Sequence, residues 1–244
     1  MNLKVLGSSS KGNCYLLESD TECLIIEAGV PFKDVKVAMD FNTAKIHGVL
    51  ASHEHRDHSG YVKQYIDSGI RCYSSKQAWE GLGIDHYNAI HVTPKMYFEV
   101  GNFSIIALPV HHDVYNFAYV IKHKDCGSVL FCTDTDDFNY NLTGLNHIII
   151  EANYDIDIID DMAIYKDMDL SLRQRTLGSH MELGRLKEII EDMDISNVRN
   201  IVLVHLSDSN SHSKKFRNEL IGLTAKDVYI AEKNLVIDFN RTAF

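Results

Sequence analysis

Four side chains able to ligate a metal, His53, His55, Asp57 and His58, fall within six residues in the run Ala51-Ser52-His53-Glu54-His55-Arg56-Asp57-His58-Ser59-Gly60. The run follows directly on the apolar stretch Gly48–Leu50, which reads as a β-strand. Side chains alternate along extended chain, so His53 and His55 point the same way and can share one ion. Asp57 and His58 come where the chain turns toward a helix and can reach a second ion. Imidazole and carboxylate together suit zinc, with manganese or iron as further options. Such a cluster constrains the fold strongly. Completing the coordination of two ions calls for further ligands downstream in the chain.

The rest of the chain is compatible with that demand. Its 244 residues suffice for a sizeable core without disulfides, and we expect one domain over residues 1–244. The five cysteines, Cys14, Cys23, Cys72, Cys126 and Cys132, form no CxxC pair and read as small core residues of a reduced cytoplasmic protein. No apolar run approaches the ~20 residues of a membrane helix, so no membrane partner is expected. The net charge of −10 excludes a broad basic coat for nucleic acid. Half of it, −5, lies in the segment 155–169, which reads as a solvated loop or helix face. A local positive cleft therefore remains open.

Short β-type runs occur at Leu3–Leu6, Cys14–Leu17, Cys23–Ile26, Phe103–Leu108, Phe117–Ile121, Ser128–Cys132, His147–Ile150 and Ile201–Val204, with final strands around Val228 and Leu235–Ile237. Helical spacing of apolar residues marks a helix after Pro31, another over Met181–Met193 and a third near Ser213–Ile221. Strands in runs in both halves, with helices interspersed, predict two sheets with outer helices.

His53-x-His55-x-Asp57-His58 resembles the signature of the metallo-β-lactamase fold superfamily of binuclear hydrolases. The resemblance implies an α/β, four-layer αββα sandwich with the site at strand-end loops. It also implies a ligand set. One ion takes His53, His55, His112 and Asp134, and the other takes Asp57, His58, Asp134 and His205. Leu108-Pro109-Val110-His111-His112-Asp113 offers two candidates for the third histidine; His112 is chosen because His-Asp suits the subgroup below, with His111 as the fallback.

Shorter motifs resemble the YycJ-like (WalJ) group, regarded as DNA exonucleases. They are Gly7-Ser8-Ser9-Ser10-Lys11-Gly12-Asn13, Glu151-Ala152-Asn153-Tyr154-Asp155 and His205-Leu206-Ser207-Asp208-Ser209-Asn210. Ser179-His180 departs from that group's Gly-His, Ser211 from its second Asn, and Asp136 from its preferred Gly. The resemblance implies a phosphodiesterase or 5′-exonuclease acting on DNA rather than RNA, using a hydroxide shared by two ions. Asp57 would orient the attacking oxygen. His180, held by Glu151 as in tRNA-processing zinc phosphodiesterases, would protonate the leaving oxygen; alternatively His180 caps its helix. Ser9, Lys11, Asn13, Arg173 and Asn210 are the candidate substrate contacts, with Arg175 and the run Lys214-Lys215-Phe216-Arg217 as further cations. The alternative is a small-molecule hydrolase such as a cyclic-nucleotide phosphodiesterase, thioesterase or lactonase, because one metal core serves all of these. A dimer would supply additional surface for a polymer, and the sequence leaves the oligomeric state open.

Overall fold

The computed structural model describes residues 1–165 and 170–242. In chain order the strands are β1 (Asn2–Gly7), β2 (Cys14–Glu18), β3 (Cys23–Ile26), β4 (Ile46–Leu50), β5 (Cys72–Ser74), β6 (Ala89–His91), β7 (Tyr97–Val100), β8 (Phe103–Val110), β9 (Asn116–His123), β10 (Gly127–Cys132), β11 (His147–Glu151), β12 (Asn200–Val204), β13 (Asp227–Ile230) and β14 (Val236–Asp238). The helices are α1 (Phe32–Ala38), α2 (Arg56–Ser59), α3 (Val62–Asp67), α4 (Lys76–Leu82), α5 (Ile156–Tyr165), α6 (Leu170–Leu177), α7 (Leu183–Asp192) and α8 (Ser213–Thr224).

The strands form two sheets, ordered β14-β1-β2-β3-β4-β5-β6 and β13-β12-β11-β10-β9-β8-β7. Their inner strands are apolar at consecutive positions because both faces are covered. In β2, Tyr15 and Leu17 turn inward while Cys14 and Leu16 turn outward. In β12, Val202 and Val204 turn inward while Ile201 and Leu203 turn outward. The inward sets of both sheets meet in one core around Tyr15, Phe103, Phe117 and Phe131. Outside the first sheet lie Phe32 and Val35 of α1, Tyr65 of α3 and Trp79 of α4. Outside the second lie Leu186 and Ile190 of α7 and Phe216 and Leu220 of α8. The layering is therefore αββα, as the sequence predicts. All five cysteines are buried and unpaired.

Strand direction places the functional loops. β3 to β6 run parallel, as do β10 to β13, so their carboxyl ends share an edge within each sheet. β8 and β10 are each antiparallel to β9, so β8 also ends at that edge. Tyr119 in β9 donates through its hydroxyl to the Ala51 carbonyl just beyond β4, at 2.7 Å, and brings the two edges together.

The helix expected over Met181–Met193 begins at Leu183. Glu182 is the N-cap and accepts from the Arg185 amide, so His180 does not cap it. The first part of the acidic segment lies in α5; residues 166–169 lie outside the described residues. No described helix is long and apolar enough to cross a membrane.

Candidate metal centre

The loop after β4 is tied down before it presents its histidines. Ser74 Oγ and Tyr119 Oη both donate to the Ala51 carbonyl, and Ser59 Oγ donates to the His53 carbonyl at 2.6 Å. His53 is thereby held in place, and Asp57 and His58 ride on the single turn of α2. Asp134 and His205 follow β10 and β12. Both have positive φ, 52° and 53°, as does Glu27 after β3 at 68°. Left-handed backbone costs ~1–2 kcal/mol outside glycine. Three such residues at one strand-end cluster mark it as a place where the surrounding fold holds strained geometry.

Asp134 stands between two sets of imidazoles. Its Oδ1 lies 3.1 Å from His205 Nδ1 and 3.4 Å from His58 Nε2. Its Oδ2 lies 3.8 Å from His53 Nε2 and 3.7 Å from His112 Nε2. Asp57 Oδ2 sits 3.2 Å from both His58 Nε2 and His205 Nε2. Ligand-type atoms of His53, His55, His112 and Asp134 lie within 4.8 Å of one another, and so do those of Asp57, His58 and His205. His112 joins the cluster, whereas His111 is exposed and pairs with Asp136.

The donor set fits a cation. His53 Nδ1 is engaged by Ser52 Oγ, while its buried Nε2 has no hydrogen-bond partner. His112 Nδ1–H donates to the Ser179 carbonyl at 2.9 Å, which leaves the Nε2 lone pair facing the cluster. That Nε2 lies 3.3 Å from His55 Nδ1. Two nitrogens on a tetrahedral zinc, each ~2.0–2.1 Å from it, stand about 3.3–3.4 Å apart. Burial, reinforced by the neighbouring His58 charge, holds His53 well below its usual pKa, and burial also lowers that of His112, so both are neutral imidazoles fit to ligate. Burial opposes charge on Asp134 and Asp57 too. His205 and His58 outweigh it and hold both carboxyls well below the usual carboxylate range.

A second layer of carboxylates orients these rings. Glu151, wholly buried, places Oε1 2.7 Å from His180 Nδ1 and 2.9 Å from His205 Nδ1. Its Oε2 accepts from the Thr135 and Met181 amides. Burial disfavours charge on His180, but Glu151 outweighs it and raises the pKa. Glu27, also wholly buried, accepts from the Ser52 amide and faces His58 Nδ1 at 3.5 Å. Asp113 Oδ1 lies 3.2 Å from His55 Nε2, and its Oδ2 pairs with Arg175 at 3.0 Å. Sequence reasoning missed Glu27 and Asp113. The available signals were a lone carboxylate closing the apolar run Cys23–Ile26 and the acid that follows His112.

The candidate substrate contacts are placed less uniformly. Asn13 is buried, and its Nδ2 lies 3.3 Å from Asp57 Oδ2 and 3.1 Å from His58 Nε2, so it braces the centre rather than its rim. Ser9 shapes the turn that exposes Lys11, accepting from the Lys11 amide at Oγ and from the Gly12 amide at its carbonyl. Arg173 pairs with Asp160 of α5, while Arg175 reaches the centre through Asp113. Asn210 is buried within its loop and accepts from Ser209 Oγ. In the basic run of α8, Lys215 pairs with Asp155, Phe216 is core and Arg217 donates to the Val228 carbonyl, which makes it a structural helix face.

The model for the metallo-β-lactamase superfamily matches residues 9–92. The Bacillus subtilis metallo-β-lactamase fold protein YhfI superimposes with a TM-score of 0.74 at 18% identity, covering 97% of this chain and 99% of that one. The chain has the metallo-β-lactamase fold. Human tRNase Z, short form, shares it with a TM-score of 0.65 at 14% identity, over 98% of this chain and 99% of that one. Among curated relatives with names, the exodeoxyribonuclease YycJ of Bacillus anthracis is 24% identical over 230 residues, 86% of this chain and 84% of the relative. The exodeoxyribonuclease WalJ of Streptococcus pneumoniae is 26% identical over 232 residues, 85% and 82% respectively. This metallo-β-lactamase fold chain thus carries histidines and aspartates arranged to bind metal.

Proposed function

We propose that the chain is a two-ion phosphodiesterase that removes nucleotides from DNA at a 5′ end. Zinc is the favoured metal, on the chemistry of the donor set. The observation that carries the two-ion reading is Asp134, whose two oxygens face different imidazole sets. In this reading His53, His55 and His112 hold one ion, Asp57, His58 and His205 the other, and Asp134 is shared. When bound, the cations supply Lewis acidity to the phosphoryl oxygens and lower the proton affinity of water.

The chain's own groups do the rest. Glu151 fixes the His180 ring through Nδ1 and favours its protonated form. His180 then has Nε2–H to give to the oxygen that leaves phosphorus, so that no free alkoxide is expelled. Asp57, braced by Asn13, would orient the attacking oxygen. Arg175 is an exposed cation tied to the centre through Asp113, suited to a phosphate backbone.

The names of the curated relatives support DNA over RNA as substrate. Incubating the protein with 5′-labelled single- and double-stranded DNA in Mn²⁺ or Zn²⁺ tests the proposal. Release of labelled mononucleotide is the expected result. No cleavage with any divalent metal would overturn it, and hydrolysis confined to cyclic nucleotides would transfer the site to small-molecule chemistry.

A further inference from the structure

We infer that the cavity of about 610 Å³ beside His205 seats a nucleoside, the sugar and base of one substrate unit. This deepens the phosphodiesterase reading and rests on it.

Position comes first. The lining includes Leu6 at the end of β1, Leu206 just beyond β12 and Ile230 at the end of β13, so the cavity lies at the strand-end edge that carries the centre. Ser8 also lines it, and links the two. Its Oγ accepts from the His205 amide at 3.1 Å and from Tyr15 Oη at 2.8 Å. From Ser8 the loop continues to Asn13, against Asp57 and His58. The cavity and the centre are therefore joined through Ser8, which lines the one and holds the backbone of His205 in the other.

Chemistry then selects the occupant. The floor of Leu6, Val30, Leu206 and Ile230 offers apolar surface for a flat base. Ser9, Ser207 and Ser211 offer hydroxyls for sugar oxygens and base edges. Lys11 and Lys233 are balanced by Asp208 and Glu232, so the cavity is formally neutral. A bare phosphate or a cation has no matching charge there. A neutral ligand with apolar faces and many hydrogen-bonding edges does match, and its phosphate would then point past Ser8 toward the histidines. The volume falls within the ~300–1,000 Å³ usual for small-molecule sites.

The test is titration of the metal-loaded protein with thymidine, followed by amide NMR, with inorganic phosphate as the comparison probe. Thymidine should shift resonances of Ser207, Ser211 and Ile230, whereas phosphate should leave them in place. Ser211→Trp, which fills the cavity, and Ile230→Ser, which removes apolar floor and lowers the melting temperature by loosening β13 against its core, should each weaken thymidine binding at least tenfold while metal content stays near wild type. Thymidine that leaves these resonances unmoved, or binds both variants as it binds wild type, overturns the inference. Wild-type cleavage of labelled DNA is scored separately. Thymidine seated in a protein inert toward DNA would uphold the cavity and overturn the phosphodiesterase reading.

Discussion

Glu151 and His180 meet at 2.7 Å, with the carboxylate wholly buried and the imidazole at the margin of the centre. The same oxygen reaches His205 at 2.9 Å, so a single carboxylate sets the orientation of both imidazoles, the proposed ligand and the proposed proton donor.

That arrangement predicts a dependence on the leaving group. A p-nitrophenolate leaves without help, whereas a DNA alkoxide needs a proton. Removing a general acid typically costs ~10²–10⁴-fold in rate. His180→Ala should therefore lower DNA cleavage by about that factor and lower bis(p-nitrophenyl) phosphate hydrolysis far less. Equal losses on the two substrates would show that His180 does not donate the proton.

Glu27 predicts a change in metal affinity without a change in the ligands. It is the carboxylate behind His58, 3.5 Å from Nδ1. Loss of such a partner commonly costs ~10–100-fold in affinity. Glu27→Gln should weaken binding by that order, read by competition with a chromogenic chelator.

Gly29 is where three chain segments touch. Its amide donates to the Asn13 carbonyl, and the Asn13 amide donates to the Asp57 carbonyl at 2.7 Å. A Cβ at residue 29 would stand 1.7 Å from that Asp57 oxygen. Gly29→Ala should cost about 3 kcal/mol by overpacking and reduce metal content, measured by thermal melting and elemental analysis.

His147 predicts an acid-labile contribution remote from the centre. Burial lowers its pKa to about 4 from 6.5, with Arg199 acting in the same direction. It stacks on Phe239 at 4.1 Å, and Asn200 Nδ2 lies 3.2 Å from its Nδ1. Between those two values the unfolded chain binds the extra proton, so this stability is full above pH 6.5 and is lost as pH falls toward 4. The loss amounts to about 3 kcal/mol. His147→Gln should flatten that part of the stability–pH curve in urea titrations.

The architecture was readable wherever an unbroken apolar run reached four or more residues. β3 falls at Cys23–Ile26 as predicted, and β10 and β12 each extend the predicted run by one residue. β5 and β6 escaped notice because three residues carry no usable period, and β7 because half of it faces solvent. The proposed ligands were visible because coordination needs particular residue types after strands. Their supports were not, because Glu27, Asp113 and Asn13 act on His58, His55 and Asp57, each 31 or more residues away in the chain. Arg173 and Arg175 looked equivalent in sequence. Only the course of α6 sends one to Asp160 and the other to Asp113.

The central claim is that Asp134 joins two ions in one hydrolytic centre. The direct measurement is a metal titration of the metal-free protein, with bound Zn²⁺ or Mn²⁺ and release of 5′-labelled nucleotide followed together. We predict two ions per chain, activity that appears with the second equivalent, and loss of both in Asp134→Asn. Full activity at one equivalent, or an Asp134→Asn protein that binds metal and cleaves DNA as wild type does, would contradict the account.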